Sequence, residues 1–96
     1  MSHECQGVSL AEVKAVQSQC PIIPEGSVLI LEGPQINYAK SGPVCVSALN
    51  AIYPWIMLAR HGIKDPKMDW DESKKCYSVV CPCGIVHFEI RNLREP

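Results

Sequence analysis

The sequence lacks long apolar runs and an excess of charge of either sign, and both absences exclude functions. No stretch of its 96 residues reaches the roughly 18 to 20 consecutive apolar residues that a membrane-spanning helix needs. The formal net charge is -1, with acidic and basic residues interspersed, so no basic patch predicts a nucleic acid or an anionic membrane as partner. We therefore expect no nucleic-acid binding and no insertion into a membrane.

Residues 1–7 contain neither the basic start nor the apolar core of a secretion signal. We therefore expect a soluble, cytoplasmic protein, with residues 1–8 flexible. Disulfides are rare in that reducing compartment, so the six cysteines predict free thiols, metal ligands or redox groups. A chain of this length has room for one small core, which predicts a single domain over residues 1–96 whose stability a metal or a partner would affect.

The first third of the chain predicts a short N-terminal helix and then a strand. In "SLAEVKAVQSQCP", Ser9 and Glu12 have the spacing of a capping box, and apolar residues follow on one helical face. The competing interpretation is a strand from Val8 to Val16, because the valines also suit a sheet. We take the helix here. The stretch "SVLILEG", which begins at Ser27, predicts a short buried strand that a Gly-Pro pair ends.

The segment "VCVSALNAIYPWIMLARHG" predicts the main helix, from Val44 to His61. Its apolar residues recur at steps of four and three, as expected of a helix that packs on a core. Those residues are Cys45, Leu49, Ile52, Ile56 and Ala59. Pro54 removes a backbone donor and clashes with the carbonyl of Asn50, at a cost of about 3 kcal/mol unless the helix bends. We therefore predict a kink, or two helical pieces that meet near Tyr53.

The last third predicts a surface loop over residues 64–75 and then two strands in "CYSVVCPCGIVHFEIR". Polar and apolar residues alternate in the second strand, which is typical of a strand with one buried face. The predicted fold class is α+β, with a small antiparallel sheet and a short N-terminal helix. The strands that begin near Ser27, Cys76 and Ile85 form this sheet, which packs against one kinked main helix.

Four cysteines lie at the ends of predicted elements rather than in their middles. Cys20 follows the first element. Cys45 opens the main helix, where unpaired N–H groups and the helix dipole stabilise a thiolate. Cys81 and Cys83 sit in the turn between the last two strands, where Gly84 can adopt a positive φ and leave backbone donors free to point at sulfur. We predict no functional role for the remaining two cysteines, Cys5 and Cys76.

These thiols suggest a metal site as the leading hypothesis. Zinc or an iron–sulfur cluster takes about four soft ligands, and the candidates are Cys20, Cys45, Cys81 and Cys83. Their spacing fits no standard ligand motif, because "CPCG" is one residue shorter than the Cys-Pro-x-Cys-Gly turn of zinc knuckles and rubredoxins. We therefore predict a small thiolate metal-binding protein that holds zinc or an iron–sulfur cluster.

Two alternatives of other classes stay open. One is a cysteine-dependent redox protein or enzyme, with Cys45 as the activated nucleophile and Cys81 or Cys83 as the resolving thiol. The other is a metal-free protein interaction module, whose cysteines fill space as small apolar residues. Its partner would be an unknown protein or a second copy that forms a homodimer along an exposed strand edge. No Ser/His/Asp set, Gly-rich phosphate loop or paired-carboxylate motif indicates another kind of enzyme.

Three stretches, in order, carry a resemblance to a known family. They are "CPIIPEGSVLIL", "CVSALNAIYPWIMLA" and "VVCPCGIVHFEIR". Together they make the chain, over roughly Leu10 to Arg91, resemble the TIGR04076 family of small uncharacterised proteins. The resemblance implies a shared α+β fold and makes Cys20, Cys45 and Cys81 the family-matching thiols. It implies no activity, because the family has no established function.

Overall fold

A computed structural model of the protein describes residues 9–93. Within that range the chain forms one α-helix and six β-strands, with short 3-10 turns at Tyr38–Lys40 and Pro66–Met68. The elements are β1 (Leu10–Ser18), β2 (Val28–Glu32), β3 (Gln35–Ile36), α1 (Val46–Arg60), β4 (Trp70–Asp71), β5 (Cys76–Val80) and β6 (Val86–Asn92). The flexibility predicted for residues 1–8 lies outside the described residues.

The strands form one sheet in the order β3-β2-β1-β6-β5-β4, and every neighbouring pair is antiparallel. Helix α1 contacts β6, β1 and β5. The predicted α+β class and the antiparallel sheet against one main helix are therefore confirmed. The strands expected near Ser27, Cys76 and Ile85 are β2, β5 and β6. The helices of the described range include none that is long and apolar enough to span a membrane.

The predicted short N-terminal helix is wrong, because the segment is strand β1, which pairs with β2 on one side and β6 on the other. Its burial alternates, with Ala11, Val13 and Ala15 buried between more exposed neighbours, and this period of two is that of a strand. The capping-box residues have other partners. Ser9 Oγ accepts from Arg60 Nε at 3.3 Å, and a Glu12 carboxylate oxygen lies 3.8 Å from an Arg91 nitrogen.

The kink predicted at Pro54 is not supported, since α1 continues through this residue as a single helix from Val46 to Arg60. Pro54 and Asn50 both lie on the exposed face of the helix. The Asn50 carbonyl that loses its helical donor therefore faces the solvent side, where water can satisfy it. The packed face of the helix does not carry the defect.

The core lies between α1 and the sheet. Ile52, Ile56 and Ala59 are buried on the helix as predicted, while Cys45 and Leu49 are half-buried beside the core. The helix-free face of the sheet is charged. There Arg91 Nη2 donates to Glu89 Oε1 at 2.6 Å. One face of the sheet is therefore dry and the other polar, as an antiparallel sheet allows.

The surface loop predicted over residues 64–75 is more ordered than expected, because it contains β4 and a 3-10 turn. The Trp70 ring lies against the Tyr77 ring, with centroids 5.0 Å apart in an edge-to-face arrangement. Trp55 Nε1 donates to the Met68 carbonyl at 2.9 Å. Three aromatic side chains thus hold to the core a segment whose composition alone is that of a loop.

Candidate thiolate site

Strand pairing brings distant cysteines to one end of the sheet. The last residue of β1, Ser18, is paired with the first residue of β6, Val86. The Gln19 N–H continues this pairing by donating to the Ile85 carbonyl at 3.1 Å. The segment that follows β1 therefore lies beside the turn between β5 and β6.

The four candidate cysteines, Cys20, Cys45, Cys81 and Cys83, all line one surface pocket with a volume of about 40 Å³. We call this the four-cysteine pocket. Apart from the thiols its described lining is apolar except for Ser47, and no charged side chain contributes to it. The space suits a single ion or a very few water molecules, and not an organic cofactor. A thiolate formed here has no cationic side chain in the lining to neutralise it.

Cys20 lies in a turn whose backbone faces the sulfur. The Ile22 N–H is directed at Cys20 Sγ, with nitrogen and sulfur 3.4 Å apart. The Cys20 N–H donates to Ser18 Oγ at 3.0 Å, and the same hydroxyl donates to the Ile23 carbonyl. The Ser18 side chain thus fixes the turn that positions Cys20, and Ile23 closes the turn on the pocket as a buried side chain.

Cys81 and Cys83 lie on the tight turn between β5 and β6. The Gly84 N–H donates to the Cys81 carbonyl at 2.9 Å, and the Cys81 N–H donates to the Val86 carbonyl at 3.0 Å. Gly84 has φ +75°, so the predicted positive φ is confirmed. This backbone brings N–H groups around one sulfur and leaves the other outside: Cys81 is buried and Cys83 is exposed.

Two opposing effects act on the Cys81 thiol. Burial disfavours the thiolate, but backbone hydrogen bonds from Ile85, Val86, Cys83 and Gly84 together outweigh it and lower the pKa of Cys81 below its ordinary value. A sulfur with several N–H donors is the arrangement that stabilises thiolates in metal-binding turns. The turn thus favours negative charge on Cys81.

Cys45 is the residue immediately before α1 and serves as its N-cap, with extended backbone angles. Its side chain makes no capping hydrogen bond to the helix, and the sulfur is half-buried at the pocket. Its carbonyl accepts from the Leu49 N–H at 2.9 Å, so only the sulfur takes no part in capping the helix. The prediction placed Cys45 in the first turn of a helix that begins at Val44, whereas the structure places it one residue before the helix.

The pocket is not a preassembled coordination shell. Across residues 9–93, no group of three or more cysteine, histidine, aspartate or glutamate side chains is placed so that it could hold a metal ion. The described cysteines are all free thiols. The four sulfurs share a pocket without converging on one point within it.

The remaining cysteines and the described histidines lie outside the four-cysteine pocket. Cys76 is fully buried at the start of β5, and burial, with the Glu89 charge second, raises the pKa of its thiol. His61 and His87 are exposed and do not line the pocket. Cys5 lies outside the described residues. Cys76 has therefore the environment of a packing residue.

Sequence reasoning missed the polar groups that organise the pocket. Ser18 fixes the Cys20 turn, Ser47 lines the pocket from α1, and the Ile22 N–H faces the Cys20 sulfur. The backbone donors around Cys81, by contrast, follow the prediction made for the Gly84 turn. A Cys-Pro pair opens each turn, which is the only signal in the sequence that relates them. The proline ring fixes φ at the second residue of each pair, and the N–H groups of the residues that follow make the hydrogen bonds of the turn.

A comparison with family models, curated proteins and solved structures gave no match to this chain. The resemblance to the TIGR04076 family stays a prediction.

Proposed function

We propose that the protein is a small thiolate metal-binding protein of the cytoplasm, which holds its metal at the four-cysteine pocket. Cys20, Cys45, Cys81 and Cys83 would be the ligands, and zinc or an iron–sulfur cluster the bound group. The observation that carries the proposal is that all four thiols line one pocket, although they come from three separate segments of the chain. The metal would supply the positive charge that the lining lacks.

The chemistry of the lining supports a soft metal. Thiolates prefer zinc and iron over calcium or magnesium, and N–H donors to sulfur, as at Cys20 and Cys81, accompany thiolate ligation. The volume of about 40 Å³ favours a single zinc ion over a cluster. Each cysteine has one side-chain torsion, so an ion that enters can select sulfur rotamers at a small entropic cost.

Metal analysis of the purified protein tests this proposal first. The protein is prepared anaerobically, without a metal-binding tag, and its zinc and iron contents and visible absorption are measured. We expect about one zinc per chain and no visible band. Iron with sulfide-type absorption would instead identify a cluster at the same thiols. Folded protein that contains neither and takes up neither on reconstitution contradicts the proposal.

Serine substitutions then test the ligands. Each of the four Cys→Ser changes replaces a soft sulfur with a hard oxygen, so we expect zinc affinity to fall at least about tenfold for each. Cys76→Ala and Ser47→Ala are the matched controls: the first removes a thiol outside the pocket and the second a polar group of the lining. Equal affinities for the cysteine variants and the controls would remove the four-cysteine pocket as the site.

A second candidate function is thiol redox chemistry, which the N–H donors around Cys81 favour because they stabilise a thiolate without any metal. In that case the metal-free protein carries one cysteine that alkylates much faster than the others near neutral pH. Peptide mapping after limited alkylation identifies it. A uniform, slow profile in a folded, reduced and metal-free protein would favour a plain interaction module.

A further inference from the structure

The four thiols of the pocket differ sharply in access to solvent. Cys83 is exposed, Cys20 and Cys45 are half-buried, and Cys81 keeps only 8% of its exposure. Thiol–disulfide exchange needs the attacking sulfur to approach a disulfide in line with its S–S bond, so access selects the reacting thiol. A reagent in solution reaches Cys83 before it reaches the others.

The turn that carries Cys83 has room for an added group. Pro82, Cys83 and Gly84 are all exposed. No atom outside the neighbouring residues lies within 4 Å of the place where a Cβ on Gly84 would sit. The outer side of the turn therefore leaves open space beside Cys83 for an added group.

We propose that Cys83 is a modification site at which small disulfides form a mixed disulfide and thereby weaken metal binding; the second part rests on the proposed metal site. The Cys83 thiolate attacks one sulfur of a low-molecular-weight disulfide. A bond forms between Cys83 Sγ and that sulfur, the S–S bond of the reagent breaks, and its other half leaves as a thiolate. Cys83 is oxidised and the leaving half is reduced.

The modification changes the ligand set of the pocket. A mixed disulfide sulfur carries no negative charge, and metals bind the thiolate form of cysteine. Zinc would keep Cys20, Cys45 and Cys81 and lose its fourth thiolate. An added thiol reverses the exchange. The metal affinity of the pocket therefore falls when small disulfides are in excess and is restored when small thiols are in excess.

The first experiment maps the modification on metal-free, reduced protein. The protein is treated with a limiting amount of oxidised glutathione, and the adduct is located by intact mass and peptide mapping. We expect one adduct, on Cys83, and a rate that falls at least about tenfold in Cys83→Ser. Cys76→Ala, which removes a buried thiol, should react like the unmodified sequence. An adduct that forms first on another cysteine, or an unchanged rate in Cys83→Ser, would overturn the assignment.

The second experiment measures metal release from zinc-loaded protein into a chromophoric chelator, with and without oxidised glutathione. We expect the disulfide to increase zinc loss at least about tenfold, a reducing thiol to reverse it, and Cys83→Ser to show no disulfide-dependent change. An adduct on Cys83 with no effect on zinc loss would refute the link to the metal. A protein that takes up neither zinc nor an iron–sulfur cluster would refute the proposed function, while the mapping would still decide the modification site.

Discussion

Two cysteines at opposite ends of one strand show how strongly the chemistry of a residue depends on its atomic neighbours. Cys76 begins β5 and Cys81 follows its end, yet burial raises the pKa of the Cys76 thiol. At Cys81 burial also acts to raise the pKa of the thiol, but backbone hydrogen bonds outweigh this effect and the pKa is lowered. A thiolate on Cys81 is therefore compatible with the fold, while burial favours the neutral thiol at Cys76.

Tyr77 is the residue whose polar atom joins the core to the loop after α1. Its side chain is fully buried, its hydroxyl donates to the Ile63 carbonyl, and the Asp65 N–H donates to it at 3.0 Å. We expect Tyr77→Phe to lower the free energy of unfolding by about 1–3 kcal/mol, because both backbone groups lose their partner.

Urea unfolding followed by fluorescence measures this change. Tyr38→Phe is the matched control, since the Tyr38 side chain is 77% exposed and the same deletion there should change stability by less than about 0.5 kcal/mol. If both variants are equally stable, the Tyr77 hydroxyl does not hold the loop.

At the scale of elements, α1 contains a residue that its own geometry disfavours. Pro54 stands in the interior of the helix, on the exposed face. Replacement by alanine restores a donor for the Asn50 carbonyl. Removal of an interior proline stabilises a helix by about 3 kcal/mol. Alanine also gives the unfolded chain more conformational freedom, which offsets about 1 kcal/mol of this gain. We therefore predict that Pro54→Ala stabilises the protein by about 2 kcal/mol.

Chemical denaturation of the purified variant tests this prediction, with Pro24→Ala as the control. Pro24 lies outside α1 and offers only its carbonyl, which accepts from the Ser27 N–H at 3.1 Å and which alanine retains. That variant should be less stable by up to about 1 kcal/mol, because only the unfolded state gains freedom. A loss of stability in Pro54→Ala would mean that the proline ring contributes through packing.

The elements that could be predicted from the sequence are those that short-range residue patterns specify. The main helix, the β5–β6 pair and the positive φ of Gly84 follow from a helical stripe, alternation and turn residues, all of which act within a few positions. The segment of β1 fits two patterns at once. Its capping-box spacing suits a helix and its valines suit a strand. The segment forms a strand because β2 and β6 supply hydrogen-bond partners on both sides of it.

At the scale of the whole molecule, a metal at the four-cysteine pocket would cross-link distant parts of one small domain. Cys20 follows β1, Cys45 precedes α1, and Cys81 and Cys83 connect β5 to β6. A ligand that binds only the folded state stabilises it by mass action, by about 2.7 kcal/mol at a free concentration one hundred times its Kd. We therefore expect added zinc to raise Tm.

Thermal unfolding of the metal-free protein with and without zinc measures the shift. The shift should shrink as the pH is lowered, because the thiols must lose protons to bind the metal. Calcium, a hard cation that prefers oxygen ligands, is the control and should leave Tm unchanged. A zinc shift that persists when all four pocket cysteines are replaced by serine would place the metal elsewhere.

The sequence by itself determined the fold class, the main helix, the β5–β6 turn and which thiols stand at element ends, because propensity, periodicity and turn chemistry are properties of short windows. Only the tertiary structure decided that residues 10–18 form a central strand and that four cysteines share one pocket. Both outcomes depend on the pairing of residues as far apart as Ser18 and Val86. Local sequence does not specify such partners, because strand pairing and burial are settled between segments rather than within them.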